Sequence, residues 1–197
     1  MGEPNIKEML IKFHNDPKVQ KLLARYNRKS VSEIYGVNRR ELSHSYFLAW
    51  LFDSNEDHGL GATACNKLMM LLALSDKADG KNSKILNRFI AGHHITFAIA
   101  VKENVVTGGR LDIYIESDIC GEKFRVIIEC KVGAKETKDQ TQQYYNCFEK
   151  RGDDFTNIYV YLTPFDAEPP KCDKYIRINY QDIIDYVLNP ILTEEHL

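Results

Sequence analysis

A change in apolar spacing near position 95 constrains this chain more than any other feature. Before it, apolar side chains recur at helix-like intervals. After it come "ITFAIAV" (95–101), "RLDIYIE" (110–116) and "FRVIIECKV" (124–132), whose patterning is that of strands. The segment "KETKDQTQQYYNCFEKR" (135–151) is then built from helix formers without Gly or Pro, and "NIYVYLT" (157–163) reads as a buried strand. "YIRIN" (175–179) and "QDIIDYVL" (181–188) add a strand and a helix. This order predicts an α/β fold with an α-β-β-β-α-β core, its mixed central sheet flanked by helices.

Ahead of the core, residues 5–27 carry Ile6, Met9, Leu10, Phe13, Val19, Leu22, Leu23 and Tyr26 at helical spacing, interrupted at Asp16-Pro17. The expectation is a helical N-terminal arm over residues 1–37. "RRELSHSYFLAWLF" (39–52) predicts the first core helix, with Asn38 as candidate N-cap and Glu41 three residues on, the spacing of a capping box. "ATACNKLMMLLAL" (62–74) predicts another helix, and the polar "SDKADGKNS" (75–83) a surface loop. A length of 197 residues suits one domain, with the core over 38–163 and a C-terminal strand and helix over 164–197.

Two carboxylates and an ammonium sit inside the strands. Alternation puts Leu111, Ile113 and Ile115 on one face and Asp112, Tyr114 and Glu116 on the other; in the next strand Arg125, Ile127, Glu129 and Lys131 share a face. If the hairpin turns between Cys120 and Gly121, facing positions sum to 241, and Asp112 stands opposite Glu129. Like charges so placed cost about 0.2–1 kcal/mol when exposed and more when covered. A divalent cation between them offsets that cost, and hard oxygen donors in small number favour Mg²⁺ or Mn²⁺. Such an ion activates a bound water, and Lys131 can position that water or stabilise charge on a phosphorane-like transition state. That is the chemistry of phosphodiester hydrolysis. The alternative is a half-exposed sheet face on which Glu129 pairs with Lys131 or Arg110.

"GRLD" (109–112), sixteen intervening residues and "ECK" (129–131) resemble the D…(D/E)-x-K signature of the PD-(D/E)XK nuclease superfamily, with Leu111 in place of its Pro. "NRRELSHSYFLAWLFDSNEDHGLG" (38–61) is similar to the E…HS…LAWL…HG opening of its restriction-endonuclease-like group, and "KDQTQQYYNCF" (138–148) to its Q-x-x-x-Y helix. The resemblance implies that Asp112 and Glu129 hold Mg²⁺ or Mn²⁺, that Glu41 completes the carboxylate cluster and that Lys131 is catalytic. It implies that Gln140 orients the lysine or the substrate, with Tyr144, His44 and Arg110 as candidate substrate contacts. The implied substrate is nucleic acid, DNA ahead of RNA, in a defence role suggested by family habit, with a homodimer as one way to cut both strands.

Other readings stay open. Glu41 could be a capping residue, His44 a packed histidine, His58-Gly59 turn structure, and Gln140 and Tyr144 ordinary face residues of an amphipathic helix. His93-His94 is set aside as a metal pair because adjacent strand residues point to opposite faces. The basic residues Arg39, Arg40, Arg110, Lys131, Lys135 and Lys138 could hold a nucleic-acid backbone. With 26 basic against 28 acidic residues, any nucleic-acid partner must be met by such a patch or by bound metal. A nuclease frame that only binds nucleic acid or protein is the second hypothesis. A small-molecule hydrolase is remote, since no nucleophile elbow or phosphate loop is present.

Five cysteines without a CxxC pair argue against a disulfide framework or zinc ribbon. The longest apolar run, residues 68–74, is far short of the roughly 20 residues a membrane span needs. No signal-peptide pattern is visible, and Ile6 stands where a myristoylation signal wants Ser or Thr. A cytoplasmic location is therefore expected.

Overall fold

The computed structural model describes residues 5–26, 40–75, 77, 80–106, 109–133, 136–137 and 139–194. The chain divides into two compact units, Met1–Arg39 and Arg40–Leu197. In the first, α1 (Ile6–Asn15) and α2 (Pro17–Tyr26) meet at Asp16. Asp16 closes α1 with its N–H on the Phe13 carbonyl and opens α2 by accepting the Lys18 N–H at 2.7 Å. Pro17 follows at the first helical position, where no intrahelical donor is needed. The expected break in the arm is thus a cap shared by two helices; residues 27–37 lie outside the described residues.

The second unit begins with α3 (Glu41–Phe52), α4 (Thr63–Ala73) and α5 (Gly80–Ile90). The strands β1 (Ile99–Val106), β2 (Gly109–Ile119) and β3 (Glu122–Cys130) follow, then α6 (Gln140–Glu149), β4 (Thr156–Thr163) and β5 (Ile176–Asn179). The chain closes through α7 (Tyr180–Ile183), a π-helical turn at Ile184–Leu188 and α8 (Asn189–Glu194). Sheet order is β1-β2-β3-β4-β5: β1 to β3 are antiparallel neighbours, and β4 and β5 continue in parallel. The mixed sheet flanked by helices is as the strand periodicity predicts.

Each sheet face buries its own cluster. On one, Ile113, Ile115, Val126, Ile128 and Val160 meet Leu48 and Phe52 of α3, Leu68 and Leu72 of α4, Leu86 and Phe89 of α5, and Val187. On the other, Tyr114, Ile127, Tyr159 and Tyr161 meet Tyr144 and Phe148 of α6 with Cys172 and Tyr175. Covering both faces makes β3 and β4 nearly continuous apolar runs and isolates any charge placed within them.

The β2–β3 register runs from Ile119↔Glu122 to Ile113↔Ile128, so facing positions sum to 241. The loop is the two residues Cys120 (φ 54) and Gly121 (φ 78), both left-handed, as a type I′ hairpin requires. Alternation fails at one place. The β1–β2 ladder passes from Lys102↔Ile113 to Asn104↔Leu111, stepping over Glu103 (φ 51) and Asp112. Across this irregularity Leu111 joins Tyr114 and Tyr144 in the second cluster, away from Ile113 and Ile115.

Three boundaries also differ from expectation. The last four residues of the stretch read as a loop, 80–83, are the start of α5, a one-sided helix whose Ile85, Leu86 and Phe89 are buried. β1 spans residues 99–106 where 95–101 was expected. α6 starts at Gln140, after left-handed Asp139, and Glu136 caps it by accepting the Thr141 N–H at 2.8 Å.

Asn is well suited to the left-handed first position of a type I′ turn. Cys120→Asn should therefore stabilise the protein by about 0.5 kcal/mol, roughly 1–2 °C in Tm by thermal denaturation.

Candidate active site

Strand register lines up one row of side chains. The parallel β3–β4 ladder pairs Glu129 with Tyr161, and β4–β5 pairs Tyr161 with Arg177. On the other side, the β2–β3 pairs end at Ile113↔Ile128, one step short of Asp112 and Glu129. There a side chain takes over from the ladder: Asp112 Oδ2 accepts the Cys130 N–H at 2.7 Å.

Glu129 is 1% exposed. Its Oε1 accepts from Lys131 Nζ at 2.6 Å, while Oε2 is buried with no hydrogen-bond partner among the described residues. Lys131, itself 8% exposed, stands just past β3 and extends its run along β4 by donating its backbone N–H to the Leu162 carbonyl at 2.8 Å. The half-exposed alternative is therefore right about the ion pair and wrong about its surroundings: Glu129 and Lys131 pair inside the protein.

Burial, then the Asp112 charge, push the Glu129 carboxyl up to about 8, although the charge and hydrogen bond of Lys131 pull the other way. Burial also raises Asp112, against the Cys130 N–H and the Lys131 charge. For Lys131, burial favours the neutral amine, but Glu129, Glu41 and Asp112 outweigh it and hold the ammonium above its ordinary range. Lys131 is thus a cation at neutral pH, suited to stabilising negative charge and unsuited to removing a proton.

Glu41 reaches the same end of β3 from α3. It is the first helical residue and accepts the Val132 N–H on Oε1 at 3.2 Å. Arg40 occupies the N-cap without a side-chain bond, and Asn38 lies outside the described residues. Glu41 is therefore not the third helical residue that a capping box uses; its charge raises both Asp112 and Glu129.

Gln140 Nε2 donates to the Tyr144 hydroxyl at 2.9 Å, and that hydroxyl donates to the Arg110 carbonyl at 2.7 Å. This chain ties α6 to the strand two residues before Asp112. Gly109 (φ 151) permits the approach, since a Cβ there would lie 2.8 Å from the Tyr144 hydroxyl. Tyr144 is 1% exposed, so its place is in the frame beneath the site.

The remaining candidates stand further out. Arg110 Nη1 pairs with Glu103 at 2.7 Å, and Glu103 also accepts from the Tyr46 hydroxyl at 2.6 Å. The His44 ring lies 5.3 Å from that of Tyr180. His58 is turn structure: its Nδ1 accepts the Leu60 N–H at 3.0 Å, which leaves Nε2 to donate to the Asp53 carbonyl at 2.9 Å. Sequence reasoning missed Tyr161. Its place beside Glu129 follows from a parallel register that no local pattern encodes.

Among the described residues, no group of three or more His, Cys, Asp and Glu side chains could by itself hold a metal ion. The donor set is instead two crowded carboxylates with Glu41 near them, which fits an ion bound through one or two carboxylates, waters and substrate phosphate. The Glu129 Oε2, without a hydrogen-bond partner among the described residues, is the observation that fits a cation there.

A family model for the PD-(D/E)XK nuclease superfamily matches residues 31–194. No curated protein and no solved structure gives a match.

A carboxyl whose folded pKa is raised favours the fold below its unfolded value and loses that contribution as pH rises through the folded one. Metal-free protein should therefore lose stability between about pH 4.5 and about pH 8 as Glu129 ionises. Denaturation across that range should show a decline of several degrees in Tm, and Glu129→Gln should flatten it.

Proposed function

Because the chain belongs to the PD-(D/E)XK nuclease superfamily, we propose that it is a divalent-metal-dependent nuclease that hydrolyses phosphodiester bonds in DNA. The observation that carries this reading is half-buried Asp112 beside the buried pair of Glu129 and Lys131, in which one carboxylate oxygen lacks a partner among the described residues. Mg²⁺ or Mn²⁺ would be held by Asp112 and Glu129, with Glu41 completing the negative cluster, and would supply Lewis-acid activation of water and of a phosphate oxygen. DNA as the target, and defence against foreign DNA as the setting, rest on the likeness to restriction endonucleases.

The protein's own groups then have distinct work. The Asp112 carboxylate is fixed by the Cys130 N–H, and that of Glu129 by the Lys131 ammonium, so neither must reorganise when substrate arrives. Lys131 remains protonated and donates toward a non-bridging phosphate oxygen as charge grows there. Gln140 and Tyr144 act as positioning residues, holding the start of β2 so that Asp112 keeps its distance from Glu129. Arg110, in an exposed pair with Glu103, can exchange that partner for a backbone phosphate.

A retired site that merely binds would have no reason to keep two carboxylates whose ionisation the fold resists. Purified protein should nick or degrade DNA with Mg²⁺ or Mn²⁺ and not in EDTA, and Lys131→Ala should lose roughly 10²–10³-fold in rate. Wild type and Lys131→Ala equally inert across DNA and RNA substrates would end the enzyme reading. By calorimetry, Asp112→Asn should bind Mn²⁺ at least tenfold more weakly; Mn²⁺ binding unaffected by that change would remove the metal assignment.

A further inference from the structure

Beside Lys131 lies a cavity of about 530 Å³ that the proposed chemistry leaves unexplained. It is lined by Tyr161, neighbour of Glu129 across the β3–β4 ladder, and by Pro164, Phe165 and Pro169 in the stretch after β4. Tyr161 is 3% exposed, and the charges of Lys131 and Glu136, which line the same cavity, act on its hydroxyl. A tyrosine hydroxyl at a cavity wall can donate to an acceptor on a group bound there. Phe165 is 81% exposed and offers a bare aromatic face at the mouth.

The wall is built in advance of any ligand. Arg177 Nη2 donates to the Ala167 carbonyl at 3.0 Å, the Ala167 N–H donates to the Pro164 carbonyl at 3.2 Å, and Glu136 Oε2 accepts the Lys171 N–H at 2.8 Å. Such pinning lowers the ordering cost of binding. Carboxylates outnumber ammonium groups in the lining, which makes it a poor seat for a phosphate and a suitable one for an uncharged planar group.

We infer that this cavity receives one unpaired nucleobase of the strand being cut, stacked on Phe165 with the Tyr161 hydroxyl donating to an acceptor on the base. The substrate is then single-stranded DNA, or an unpaired nucleotide at an end, flap or junction, in preference to intact duplex. This rests on the nuclease reading. Lys131 both lines the cavity and pairs with Glu129, so a phosphate at the carboxylates and a base in the cavity are neighbours along one strand. In a duplex that base would first have to leave the stack, whereas a single strand offers it freely and stacking tolerates any sequence.

The test is fluorescence anisotropy of a labelled oligonucleotide, single-stranded or annealed to its complement. It is run in EDTA on the Asp112→Asn protein, whose amide removes one charge facing the phosphate. Single strand should bind at least tenfold more tightly than duplex. Adding Phe165→Ala should weaken single-strand binding about 5- to 150-fold, while Phe165→Trp keeps it. Phe165 is too exposed for its truncation to endanger folding. Equal affinity for the two forms, equal weakening of both by Phe165→Ala, or no detectable binding of either overturns the inference. Cleavage by wild type in Mn²⁺ separates the two claims. A protein with the single-strand preference that cuts nothing supports the cavity and removes the nuclease reading, whereas cutting without that preference does the reverse.

Discussion

The structure depends on a repulsion kept in place. Two carboxylates approach the same point from neighbouring strands, and the sheet face that holds them is sealed by α6 and its aromatic cluster. The Lys131 ammonium offsets part of the cost, but it satisfies only one oxygen of Glu129. In a fully covered sheet a well-packed apolar pair would be the more stable choice. What the arrangement provides is a set of carboxylate oxygens already fixed in place, at the expense of stability.

That constraint explains why the supporting bonds are where they are. Asp112 falls on a ladder irregularity, stepped over by the β1 pairing and lying just beyond the β2–β3 pairing. A side chain in a regular ladder points away from its neighbour strand's backbone. Freed from the ladder, Asp112 can turn its carboxylate onto the Cys130 N–H, which fixes it beside Glu129. The Gln140–Tyr144–Arg110 chain steadies the same region from α6, at a point where only a glycine admits the tyrosine hydroxyl. The second cluster is thus both hydrophobic core and the frame of the site.

How much of this the sequence made legible varies with the range of the interaction. The hairpin register needed only a two-residue turn and a period of two, and its sum of 241 holds as far as Ile113↔Ile128, one step short of Asp112 and Glu129. Lys131 followed from the same parity. Local irregularity was less legible: Leu111 changes sides where the β1–β2 ladder steps over Glu103, whose positive φ nothing in "KEN" announces. α5 was hidden for another reason, since its polar opening residues resemble a loop until Ile85, Leu86 and Phe89 find α4 to pack against. Tyr161 was out of reach altogether, because the offset between parallel strands is set by the crossover helix and the packing of two faces.

Those two kinds of strand pairing divide the labour at the site. Antiparallel β2 and β3 bring the carboxylates together, since a tight hairpin sets facing positions to the residue. Parallel β3, β4 and β5 do something a hairpin cannot: their carboxyl ends lie along one edge of the sheet, so the segments that leave them converge there. Lys131 and Gly133 follow β3, Pro164 to Pro169 follow β4, and both groups line the same cavity. Arg177, from the row that contains Glu129 and Tyr161, then clamps the β4 segment through the Ala167 carbonyl. A sheet antiparallel throughout would have sent the chain after β4 to the opposite end of the sheet, leaving the charged pair without this cavity beside it.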